Sequence, residues 1–199
     1  MAGSGDRGRK TRGGLMKLKH LGHAACVGVG ATAVMDVGAQ IIQRTTGTPP
    51  LNLDLVGRWI GHMRRGAFAH ESIMTAEPVE HEHEIGLVAH YAIGVGFALA
   101  LAAVRPGWLD KPTLVPAMTA GLATCAAPWL LMQPAWGMGL AASTLPDPAT
   151  TRLRTVRAHA MYGLGLWASA RVPMVVCSAE NYWTDATSAS VGHPLATQP

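Results

Sequence analysis

Charged side chains come in blocks along this chain, and the gaps between the blocks define its elements. From Leu21 to Gln43 the single charged residue is Asp36, and no Asp, Glu, Lys or Arg occurs from Ile85 to Val104 or from Thr113 to Gln133. Each gap has the length that an α-helix needs to cross about 30 Å of hydrocarbon, about 20 residues at about 1.5 Å per residue. A fourth apolar run, Val156 to Cys177, carries Arg157 near its start, Arg171 inside it and Pro173 soon after. An arginine within about two turns of a helix end can extend its charge to the headgroups, so this run also qualifies. The pattern predicts an all-α fold, an integral membrane four-helix bundle with spans at about 21–43, 85–104, 113–133 and 156–177. The membrane domain then covers 20–178, between a disordered basic tail at 1–19 and a polar C-terminal tail at 179–199.

Helical periodicity also marks a short amphipathic helix in the first loop. Within LDLVGRWIGHMRR, Leu55, Val56, Trp59, Ile60 and Met63 share one face, while Asp54, Arg58, His62 and Arg65 take the other. Two environments suit it: the membrane surface with Trp59 at the headgroups, or the protein's own bundle. A short turn, RPGWLDKP, joins the second and third spans, and a loop rich in Pro and Arg at 134–155 joins the third and fourth.

Composition agrees with the membrane reading, at 49% apolar and 14% charged residues. The formal charge of +4 is no nucleic-acid signal, because six of the sixteen Lys and Arg residues fall in the first nineteen positions. That segment is too poor in apolar residues to fold alone and is suited to anionic lipid or to setting topology. The expected partner is the lipid bilayer, with no nucleic acid. Taking the start for a secretory signal is disfavoured by Asp36 and the three later spans. Basic residues number nine on the side of the termini and seven on the side of the two large loops; counted from Met16 the balance becomes five against seven, which reverses the orientation that the positive-inside rule assigns. Cys26, Cys125 and Cys177 fall one per helix without paired spacing and read as buried free thiols.

The candidate chemistry lies at one depth. AHYAIGVG at 89–96 and AHAMYGLG at 158–165 share A-H-x-x-x-G-x-G, which sets His90 and His159 about one turn inside two spans that run in the same direction. Asp36 and Gln40, near the end of the first span, and Gln133, at the end of the third, reach the same leaflet. Gly28, Thr32, Asp36 and Gln40 recur every four residues, so small residues bring a neighbouring helix to the polar ones. Duplication of a two-helix hairpin would set the two histidines in equivalent places, although selection for small residues explains the glycines as well. A carboxylate in hydrocarbon costs roughly 3 kcal/mol, so Asp36 should be neutralised, paired or hydrated. Three roles stay open for Asp36, Gln40, His90, Gln133 and His159: a static hydrogen-bonded lock, a proton or small-ion site, and a metal site of an enzyme. Arg58, His62 and His70 are candidates to guard its mouth.

Other signals are weaker. HEHE at 81–84 resembles a metal clip, but alternating residues face apart on a helix. Pro128 should kink the third span and could turn a freed carbonyl toward the polar cluster. There is no Walker-type loop, CxxC, HExxH or G-x-S-x-G, so no cofactor and no catalytic set is assigned.

In order, GATAVMD, PPLNLDLVGRWIGHMRRGAFAHESI, LVAHYAIGVGFALAL, PTLVPAMTAGLATCAAPWLLMQPAWGMGLAAS and RLRTVRAHAMYGLGL resemble a bacterial integral membrane family known as domain of unknown function 2938. The similarity runs from about Ala25 to Ala170. It implies a multi-pass protein of the bacterial inner membrane and supplies no reaction, ligand or catalytic residue. The expected function is the binding or movement of a proton or small ion at the intramembrane Asp/His/Gln site, with a homo-oligomer plausible because four short helices alone enclose a narrow pore. A metal-dependent membrane enzyme and a structural or assembly factor without chemistry are the alternatives.

Overall fold

The computed structural model describes the backbone of residues 4–191 and the side chains of residues 20–172. The expected tails at 1–19 and 179–199, and Cys177, lie outside the described side chains. Among the described residues the chain is all-helical, with no strand. Its helices are α1 (Ser4–Thr46), α2 (Leu53–Met63), α3 (Glu82–Val104), α4 (Leu114–Ala123), α5 (Gln133–Ala135) and α6 (Pro148–Val191), with a π-turn at Pro128–Met132 between α4 and α5.

Three stretches are long and apolar enough to cross a membrane: His20–Thr46, Glu82–Val104 and Leu114–Ala135. Val37, Ile41, Val88, Ile93, Val115 and Leu131 are exposed on them, as lipid-facing positions would be. The fourth expected span lies on α6, whose described part packs along both α1 and α4. There Arg171 is exposed, with its guanidinium 4.4 Å from the centroid of the Trp167 ring. Cys125 is buried as expected, but Cys26 corrects the expectation of buried thiols, since it sits on the exposed face of α1.

α1 packs against both α3 and α6. Ala24, Val27, Ala31, Leu101, Trp108 and Leu166 fill the end of the bundle near the 105–112 turn. α4 approaches α6 closely because Gly121 and Gly163 face each other; a Cβ on Gly121 would stand 2.5 Å from the Gly163 Cα. Two helix starts are capped by side chains: the Asn52 side chain accepts the Asp54 N–H at 3.0 Å at the start of α2, and Asp147 Oδ1 accepts the Thr150 N–H at 3.0 Å at the start of α6. The hydrogen bonds from Thr150 hold the Asp147 carboxyl below its ordinary pKa.

Pro128 breaks the third span as its missing N–H requires. α4 stops at Ala123 and the chain continues through the π-turn, in which the Gln133 N–H reaches the Pro128 carbonyl. The carbonyl that Pro128 leaves without its usual partner, that of Thr124, does not serve the polar cluster. It accepts the Ala127 N–H at 3.1 Å, and Thr124 contributes its side chain instead.

α2 does not lie on the membrane surface as a free amphipathic element. Its apolar face joins Ile73 and Trp136 in a second core, with Leu55 and Val56 buried. Its other face is only partly solvated, because His62 is buried and Arg58 is turned onto Glu82 at the start of α3. The loop at 64–81 folds over this polar face and supplies partners that sequence periodicity does not register.

Candidate polar site between α1, α3 and α6

His90 on α3 and Asp36 on α1 meet with Nε2 and Oδ1 2.9 Å apart. The contact follows from the small residues one and two turns away, since Gly94 packs against Thr32 and Gly28 against Val95. Tyr91 donates its hydroxyl to Asp36 Oδ2 at 3.1 Å, so each carboxylate oxygen has a donor when the acid is ionised. The pair is shielded unequally, at 13% side-chain exposure for His90 and 33% for Asp36.

His159 on α6 has a different partner. Its Nδ1 stands 2.6 Å from Thr124 Oγ1, on the third span, and that hydroxyl also lies on the Gly121 carbonyl. A hydroxyl has one proton to give. With that proton on the Gly121 carbonyl, His159 donates from Nδ1, and a neutral ring keeps Nε2 as its free base. Each histidine thus reaches back to the span preceding its own, and the glycine four residues on follows it: Gly94 meets Thr32, Gly163 meets Ala117 and Met118. The shared A-H-x-x-x-G motif therefore corresponds to a shared packing arrangement.

Two cavities join these groups. The smaller, about 140 Å³, is lined by Thr32, His90, Thr124, His159 and Tyr162 among apolar neighbours. Tyr162 donates to the Gly94 carbonyl at 2.6 Å across its wall. The larger, about 390 Å³, lies toward the two large loops and is lined by Gln133, Arg154, Arg157 and His159 beside many apolar groups. His159, Met35, Leu51, Pro128 and Met132 line both, so the cavities adjoin. α2 and the segment before it cover them, with Leu51 and Leu55 at the larger and Val56 and Trp59 at the smaller.

The structure brings Asp36, His90 and His159 to this region and sets Gln133 beside it. It does not bring Gln40, which is exposed and lines neither cavity. The every-fourth-residue pattern explains the departure: each step drifts about 40° around a helix of about 3.6 residues per turn, and Asp36 is already part-exposed. The expected guards of the mouth are elsewhere too. Arg58 pairs with Glu82, whose hydrogen bond raises the guanidinium's pKa further, and His62 Nδ1 stands 2.7 Å from His70 Nε2; none of the three lines either of these cavities. Arg154 and Arg157 line the larger cavity instead. Sequence reasoning also missed Tyr91, Thr124 and Tyr162, because it weighed ionisable groups over hydroxyls; the signal for Thr124 was its position four residues before Pro128. The HEHE residues do not converge on one point: Glu82 holds Arg58, His83 Nδ1 lies 2.8 Å from Asp54, and His81 lies 3.3 Å from Glu80 and 4.0 Å from Glu84. Among the described residues, no three His, Cys, Asp or Glu side chains come together as a metal set.

Residues 25–173 match the family described as Protein of unknown function (DUF2938), and the chain belongs to that family. No curated protein and no solved structure matches it.

Proposed function

We propose that this member of the DUF2938 family is a multi-pass protein of the bacterial inner membrane, whose Asp36–His90 pair takes up and releases a proton from the side of the two large loops. The observation that carries the reading is the 2.9 Å contact of a carboxylate with an imidazole, on two membrane-crossing helices, beside a cavity that a second histidine also lines. Histidine exchanges protons near neutral pH, and a carboxylate at hydrogen-bond distance supplies the partner. Water in the smaller cavity would link His90 to the Nε2 base of His159, and the larger cavity would carry the exchange on toward the loops. Toward the other face the buried core of Ala31, Leu101, Trp108 and Leu166 closes the bundle, so access from one side is the geometry this reading uses. Assembly into a homo-oligomer fits the same reading.

The test is proton uptake after a pH jump, read with a soluble indicator dye on purified protein. The wild type is expected to take up about one proton more per chain than Asp36→Asn, whose amide cannot titrate. Far-UV circular dichroism of the variant should be unchanged. Equal uptake by both proteins would overturn the proposal and leave the second reading, a static lock, which the Tyr91 hydrogen bond to Asp36 favours.

A further inference from the structure

The larger cavity has features that a proton site does not use. Arg154 and Arg157 stand three residues apart, in the second and third turns of α6, and both line it. Asp147, whose charge acts on Arg154, has its Oδ1 bonded to Thr150, and among the described residues neither arginine makes an ion pair. The walls are apolar and rich in methionine, with Met35, Met132, Met138 and Met161, the adaptable side chain of surfaces that accept variable hydrocarbon. Gln133 lines the same cavity at 5% exposure, and its Oε1 is buried with no hydrogen-bond partner. A buried acceptor left unmatched is destabilising, so this carbonyl oxygen calls for a donor from whatever occupies the cavity.

From these groups we infer that the cavity binds a single-chain anionic lipid carrying a free hydroxyl. Its acidic head lies against Arg154 and Arg157, its chain lies among the methionines, and its hydroxyl donates to Gln133 Oε1. A cavity of about 390 Å³ falls at the lower end of small-molecule sites and favours one chain over two. A soluble anion would leave the apolar wall unused, and an uncharged lipid would leave the two exposed guanidiniums to water. The site shares the larger cavity with the route proposed for the proton but uses neither Asp36 nor His90, so its binding is measured apart from that proton.

The test is binding to the full chain in phosphatidylcholine nanodiscs, with three probes: 1-myristoyl-lysophosphatidate, 1-monomyristoylglycerol, and glycerol 3-phosphate. The anionic lipid is expected to bind saturably, the uncharged one at least about tenfold more weakly, and the head alone not measurably. Arg154→Gln and Arg157→Gln should each weaken the anionic lipid about tenfold, and Ala158→Phe, which fills the cavity, should abolish binding. Arg44→Gln, a change at an exposed arginine outside the lining, and Asp36→Asn should both bind like the wild type, and melting curves on each variant separate lost binding from lost fold. Equal affinity for the charged and uncharged lipids, binding of glycerol 3-phosphate alone, or wild-type binding by the arginine double variant would each overturn the inference.

Discussion

Arg58→Met should be among the most damaging single changes in this protein, at about 3 kcal/mol, because it leaves a shielded carboxylate without its cation. Arg58 and Glu82 meet through two bonds of 2.9 Å, from Nε and Nη2, and their side chains are only 12% and 17% exposed. The same guanidinium donates from Nη1 to the carbonyls of Ile73 and Ala76 at 3.3 and 3.2 Å, so the variant also strips two acceptors in the loop. A fall in Tm of about 10 °C is expected for a chain of this size. Arg58→Met combined with Glu82→Gln should recover part of it, since the stranded charge is then gone. If the double variant is as unstable as the single one, the energy lies in the packing of the arginine stem and not in the pair. The functional consequence follows from position: this clamp holds α2 over both cavities, so the variant should also admit water to His90 and His159.

The second large effect concerns the backbone contact beneath the clamp. A Cβ on Gly57 would fall on the Glu82 carbonyl, and one on Gly86 would fall on the Leu53 carbonyl. Neither obstacle is a side chain that can swing away, so α2 and α3 must separate if either glycine gains a methyl group. Gly86→Ala should therefore cost about 3 kcal/mol, the upper part of the range for overpacking, despite alanine's better helix propensity. Gly96 supplies the control on the same helix, because nothing lies within 4 Å of a Cβ there. Gly96→Ala should be neutral or stabilising by up to about 1 kcal/mol. Thermal denaturation of the two variants in the same detergent checks the opposite signs; similar losses in both would mean that the α2–α3 contact is looser than the structure shows.

Neither prediction could have come from the sequence, and the reason is physical. Arg58 and Glu82 are 24 residues apart and joined by a loop whose fold depends on Ile73 and Trp136 meeting in a core. Local periodicity sees Arg58 only as polar on an amphipathic helix. The spans, by contrast, were legible because a bilayer imposes length and apolarity on consecutive residues, a constraint that needs no tertiary knowledge. The meeting of Asp36 and His90 was legible for a related reason: the cost of a carboxylate in lipid forces a partner, and helix direction fixes which polar groups share its depth. Depth does not fix rotation about the helix axis, which is why Gln40 was drawn in with them although it points outward. His159 shares their depth but is held through Thr124, a residue that becomes conspicuous only once Pro128 has broken the third span.

Solid-state ¹⁵N NMR of histidine-labelled protein in bilayers tests the Asp36–His90 proton most directly, with His90 assigned by His90→Gln. The imidazole signals should respond to pH, and the response should change in Asp36→Asn. His90 signals that do not respond to pH, or a response that survives Asp36→Asn intact, would contradict the account and reduce the pair to a fixed strut between two helices.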